Sequence, residues 1–187
     1  MRQWPLILAL LAASPAAVRG ATLVPLFLDD LTAESQTVVY GKVVGSRVEW
    51  DAGHTLLYTV YTVAPAEYLK GHLGALFELR QPGGELDDIG MKVAGAPHFS
   101  IGQEALLFVW TSPRGDHQVA GFEQGVVRIF TDPATGVKSA SRSIPLGSAR
   151  GLNAVAATRP GTSRRLPQLL EQVRGSIAKS RPGRLGQ

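Results

Sequence analysis

Residues 36–71 read QTVVYGKVVGSRVEWDAGHTLLYTVYTVAPAEYLKG, the pattern of two long strands joined by a polar turn. Within Val38–Gly45, Val39, Gly41 and Val43 share one face by the two-residue period, and Val38, Tyr40, Lys42 and Val44 share the other. Glycine inside a strand marks a bulge or a bend where another backbone comes close. Gly41 and Gly45 therefore predict a strand that curls, as in a small barrel. Trp50-Asp51-Ala52-Gly53-His54 supplies the turn. Leu56–Val63 is dense in Leu, Val, Thr and Tyr, a strand composition. Pro65 is expected to end this second strand, because proline has no N–H for the ladder. Lys70-Gly71 is expected to form the corner beyond it.

Outward from this pair the chain keeps the same character. Leu76–Arg80 predicts a third strand, and Gln81-Pro82-Gly83-Gly84 a break. Glu85–Val93 reads as a loop or irregular hairpin. Ala105–Trp110 is the strongest buried-strand signal, followed by short strands at Gln118–Phe122 and Val126–Thr131. Short strands punctuated by Gly and Pro predict an all-β barrel or sandwich. Upstream, Leu28 and Leu31 at helical spacing, with Asp29 and Asp30 near the start, predict one or two helical turns. Near the end, a helix is expected over about 164–179, with Pro167 in its first turn. Its apolar stripe is Leu166, Leu169, Leu170, Val173 and Ile177, which predicts packing on the strands.

The first twenty residues have a different composition. Arg2 precedes an apolar run from Trp4 to Ala17, and Val18-Arg19-Gly20 offers a cleavage point. That is a secretory signal pattern, too short to span a bilayer, and it predicts export with a mature start near Ala21. Residues 21–136 are expected to form the β-barrel domain and residues 137–187 a basic C-terminal extension. The overall charge of +4 conceals this split: residues 21–136 hold seven basic and fourteen acidic side chains, and residues 137–187 hold ten basic side chains and Glu171 alone as acid. The absence of cysteine excludes a disulfide framework and a thiolate metal site. It fits a periplasmic or secreted bacterial protein, with no membrane-spanning segment after the leader.

The Gly-Lys-Val strand, the Tyr/Thr/Val strand and the closing Leu-Lys-Gly together resemble a group of uncharacterised exported bacterial proteins. Pro82-Gly83-Gly84 and Gly102-Gln103-Glu104 also match that group. The same arrangement is similar to the netrin-type OB barrel of the tissue inhibitors of metalloproteinases, over roughly residues 28–131. The resemblance implies a mainly β, OB-like barrel with a short N-terminal helical turn and a C-terminal amphipathic helix. The inhibitor family chelates its target's zinc through a mature N-terminal cysteine. Here Ala21-Thr22-Leu23-Val24-Pro25 stands at that position, so the inhibitory residues do not carry over.

Chemistry-bearing residues are sparse. His54, His72, His98 and His117 all fall in expected turns or loops, and none has the spacing of a metal-binding pair. Glu85, Asp87 and Asp88, with His98 beyond, form a hard-ligand cluster that lacks calcium-loop spacing and reads as a solvated acidic loop. Ser176-Ile177-Ala178-Lys179 matches SxxK without the partner motifs of serine hydrolases. No catalytic, cofactor or metal residue is therefore assigned. Tyr40, Trp50, Tyr58 and Tyr61 are the candidate binding surface, but the acidic balance around them disfavours nucleic acid. Arg159, Arg164, Arg165, Arg174 and Lys179 are candidate contacts to an anionic surface, or partners of the acidic half. The expected function is non-catalytic protein binding outside the cytoplasm, with a secreted protease as a conceivable partner. Two alternatives stay open: a hydrolase with a loop-borne site near Glu85–His98, and a surface-associated structural protein held by its basic helix.

Overall fold

A computed structural model describes residues 25–145, 158–160 and 164–180 of the chain. The leader expected over residues 1–20 lies outside the described residues. The fold is mainly β, with helix α1 (Leu28–Glu34) before the strands and helix α2 (Leu166–Ser180) after them. Both helices stand where the sequence places them.

Strands β1 (Thr37–Trp50) and β2 (Leu57–Lys70) form the central antiparallel pair. Register shifts fall between Tyr40 and Gly41 and between Val43 and Gly45, so both glycines sit at bends. A Cβ on Gly41 would stand 2.7 Å from the Ala64 carbonyl oxygen, a close approach that only glycine permits. Asp51 closes the β1–β2 turn by accepting from the Thr55 and Leu56 N–H groups at 2.6 and 3.0 Å. The corner is also built as the sequence predicts. Gly71 has φ +67, and a Cβ there would meet the Gln36 carbonyl and Thr37 Oγ1, each at 2.6 Å.

Pro65 does not end β2, which runs on to Lys70. The reason is positional. Pro65 lies opposite Gly41 at a bulge, and pairing with β3 (Phe77–Pro82) stops at Val63. Beyond Val63 no strand among the described residues pairs with that edge, so a missing N–H there breaks no ladder.

The chain continues through a small separate hairpin, β4 (Gly84–Leu86) with β5 (Ile89–Met91), then β6 (Glu104–Thr111) and β7 (His117–Val119). A 3-10 turn (Phe122–Gly125) leads into β8 (Val126–Thr131), β9 (Lys138–Pro145), β10 (Thr158–Pro160) and β11 (Arg164–Arg165). The main sheet has the order β10-β9-β8-β6-β1-β2-β3, with β7 also on β6 and β11 also on β9. The composition change at 136/137 falls in the β8–β9 turn, and the two strands pair from Val127↔Arg142 to Thr131↔Lys138.

The sheet is not closed into the expected barrel; its ladder ends at β3 and β10. It curls instead until β3 lies against β7 without pairing. The Phe77 ring meets His117 edge-on with centroids 6.2 Å apart, and Arg80 Nη1 stands 3.7 Å from Asp116. Closure would need two facing runs of N–H and C=O. β7 offers three residues before Gly121 (φ +66) turns the chain away, and β3 ends in proline.

Both faces of the sheet are buried. On one, the α2 stripe Leu166, Leu169, Leu170, Val173 and Ile177 packs with Leu31, Val38, Leu106 and Phe108. On the other, inside the curl, Val39, Val43, Val63, Phe77, Leu79 and Leu107 form a second cluster. Each such side chain contributes roughly 1.5–3 kcal/mol on burial.

Candidate functional site

A cavity of about 450 Å³ opens where the end of β3, strand β7 and the 3-10 turn meet Leu26 and the end of α1. That volume lies within the usual range for ligand pockets. Its position follows from strand alternation. Val109 and Val119 face the inner cluster, so their neighbours Trp110 and Gln118, paired across β6 and β7, face outward onto the cavity. Trp110 and Phe122 are each 37% exposed at this cavity. Phe122 has φ +58, a left-handed conformation that costs a bulky residue about 1–3 kcal/mol and concentrates at functional sites. Gly121 before it leaves room for Leu26; a Cβ there would stand 2.5 Å from Leu26 Cδ1.

Fixed hydrogen bonds hold the far wall. The Leu26 N–H donates to Gln124 Oε1 at 2.8 Å. Arg142 Nε donates to the Gln124 carbonyl at 2.9 Å, and its Nη2 donates to the Leu26 carbonyl. Burial pushes the Arg142 pKa below the ordinary arginine value, with Asp30 opposing. Arg142 thus clamps two walls of the cavity from behind.

Two polar side chains at the cavity have a group without a protein partner among the described residues. Gln81 is 3% exposed, and its buried Nε2 has no hydrogen-bond partner. An unpaired buried amide donor costs about 1–3 kcal/mol. Glu34 is exposed, sits in the last turn of α1, and has no hydrogen-bond or ion-pair partner among the described residues. The carbonyl end of that helix is met by Lys70, whose Nζ donates to the Thr32 carbonyl at 2.6 Å, and not by Glu34.

Nearby, a second cavity of about 310 Å³ is polar, lined by Glu49, Glu78, Arg80, Asp116 and His117 among others. Arg47 bonds Glu78 through Nη1 and Nη2 at 2.6 and 2.9 Å and Glu49 through Nε at 3.2 Å. The Glu78 hydrogen bonds hold Arg47 above its ordinary pKa, and Arg47 holds Glu78 below the usual carboxylate range. Arg80 Nη1 lies 3.5 Å from Glu49, and its guanidinium sits 4.3 Å from the Tyr58 ring centroid. These largely exposed pairs complete one another's charges and contribute little individually.

The four aromatics expected to form a binding surface do not gather on one face. Tyr40 packs against the helix-side cluster, and its hydroxyl donates to Glu104 at 2.5 Å. Tyr61 is buried in the opposite cluster, edge-on to Phe99 at 5.0 Å. Trp50 stacks on His54 in the β1–β2 turn, and Tyr58 lies under Arg80. Among the basic residues, Arg174 pairs with Glu67 of β2 and with Glu171, and Arg164 donates to Gln172. Arg165 and Lys179 are exposed on β11 and α2, and the Arg159 side chain lies outside the described residues. Glu85 sits on β4, Asp87 and Asp88 in the turn before β5, and His98 in the loop before β6. No group of three potential metal ligands forms among the described residues. Ser176 of the SxxK match is buried, and its hydroxyl donates to Asp29, tying α2 to α1.

Sequence reading did not single out Glu34, Gln81, Trp110 or Phe122. Gln81 was hidden in the Gln-Pro-Gly-Gly break and Trp110 at the end of a buried run. The outward turn of Trp110 by alternation was the one available signal. No protein-family model matches this chain, and comparison with curated proteins also finds no match. Among the described residues, no helix is long and apolar enough to cross a membrane.

Proposed function

We propose that this chain is an exported, non-catalytic protein-binding domain, whose partner docks at the cleft between β3, β7 and the 3-10 turn. The observation that carries the proposal is the exposed pair Trp110 and Phe122 beside a cavity holding the unpaired Gln81 amide. Aromatic anchors beside a concave, mostly apolar site with a few convergent polar groups are what polypeptide recognition uses. The curled sheet with helices on its outer face supports kinship with OB- and netrin-type domains, and with it a secreted protease as the class of partner. The leader pattern in residues 1–20 supports export.

The test is complex formation between the full chain and a panel of secreted metalloproteases, read by light scattering. One stable complex is expected, lost on Trp110→Ala. No complex at micromolar excess would remove the protease reading, and a complex indifferent to Trp110→Ala would move the interface elsewhere.

A further inference from the structure

We propose that the cleft selects a cationic side chain, the lysine or arginine of a partner polypeptide. This inference rests on the protein-binding reading and specifies what that partner must present. Among the described residues, Glu34 is the single ionisable one lining the cavity. It is exposed in the last turn of α1 and has no ion-pair partner among the described residues, so its carboxylate is available to pair with a positive ligand group. Trp110 and Phe122 add exposed π-faces on which an ammonium or guanidinium gains further attraction.

The remaining polar group fits the same ligand. Gln81 Nε2 is a donor without an acceptor, and a peptide main-chain carbonyl supplies one. An acidic side chain would satisfy Gln81 but would be repelled by Glu34. A purely apolar one would leave both groups unpaired. The cation at this wall, Arg142, is spent on the Leu26 and Gln124 carbonyls behind the lining.

The experiment uses the isotope-labelled full chain and three probes: the Nα-acetyl N-methylamides of arginine, lysine and citrulline. Citrulline keeps the shape of arginine without its charge. The arginine and lysine probes are expected to shift the Trp110 indole and Gln81 side-chain resonances. Citrulline is expected to bind about tenfold more weakly, the combined effect of one carboxylate and one aromatic face. Glu34→Gln should close that gap, while Glu85→Gln, an equal charge change on the exposed β4 strand, should leave it open. Equal affinity of arginine and citrulline with Trp110 still perturbed would overturn the charge selection and leave the docking site standing. Equal weakening by both variants would overturn it in favour of general attraction. No perturbation of Trp110 or Gln81 by any probe would overturn the inference. If a protease complex then also survived Trp110→Ala, the docking reading would fall with it.

Discussion

At the scale of single residues, Gln81 combines burial with an unmade hydrogen bond. Such a group calls for a physical explanation, and an acceptor on a docked ligand is the one proposed above. Gln81→Met keeps the volume and removes the donor, so it is expected to stabilise the protein by about 1–2 kcal/mol in urea unfolding. The same variant should bind the arginine probe more weakly. A loss of stability would mean that the amide is satisfied in solution. Arg142 acts in the opposite direction, since two main-chain carbonyls depend on it. Arg142→Met is expected to cost about 2–3 kcal/mol and to broaden the Leu26 and Gln124 amide resonances. Unchanged resonances would show that the clamp is not needed. Gly71 is the plainest case: φ +67 and two contacts at 2.6 Å leave no room for a side chain. That position was legible from Leu-Lys-Gly alone, because only glycine turns such a corner without strain. Gln81 was not legible, because its meaning depends on β7 lying beside it.

At the scale of elements, Tyr40, Glu104 and Lys138 tie β1, β6 and β9 together. Lys138 Nζ donates to Glu104 at 2.6 Å and to Tyr40 at 2.8 Å. Burial pushes the Glu104 pKa up, but hydrogen bonds from Lys138 and Tyr40 prevail and hold it below the usual carboxylate range. Lys138 is held above its ordinary value by Glu104 and Tyr40, while burial, then Glu104, raises Tyr40. The signs follow from linkage. A depressed Glu104 contributes stability above the ordinary glutamate pKa of about 4.3 that is lost as pH falls through its lower folded value. A raised Lys138 contributes below about 10.4, and that part is lost as pH rises through its higher folded value. The stability difference between the native chain and Glu104→Gln should therefore be flat near neutrality and shrink on acidification below the carboxylate range. Urea midpoints across pH measure it, and a difference that grew in acid would contradict the assignment. The sequence placed β1, β6 and β8, since alternation and glycine bends are local signals. It misjudged Pro65, because whether a proline breaks a ladder depends on which neighbour the strand has at that point. The end of the β3 pairing at Val63 is a tertiary fact.

At the scale of the whole molecule, the acidic and basic parts of the chain meet within one fold. Lys138 reaches Glu104 and Arg174 reaches Glu67, so part of the charge split is resolved internally. The amphipathic stripe of α2 was legible from its spacing. Its target was not, because the sheet face it covers is assembled from α1, β1, β6, β8 and β9. Removing residues 160–187 would therefore strip one of the two cores and confuse surface attachment with unfolding. Arg165→Glu with Lys179→Glu isolates the charge: both residues are exposed and neither has an ion-pair partner among the described residues. If the helix also serves an anionic surface, this double variant should lose binding to phosphatidylglycerol vesicles at low salt while its urea midpoint holds. Equal binding by both proteins would exclude that role. The packing itself makes a sharper demand. Leu170 is 8% exposed within the helix-side cluster, and Leu170→Ala should cost about 2–5 kcal/mol. Because the β1 residues Val38 and Val39 face the two clusters on opposite sides of one strand, that loss should reach the curled half as well. Far-UV circular dichroism and tryptophan fluorescence should then fall in a single shifted transition. Two separated transitions would show instead that α2 is an appendage able to leave while the curl stays folded.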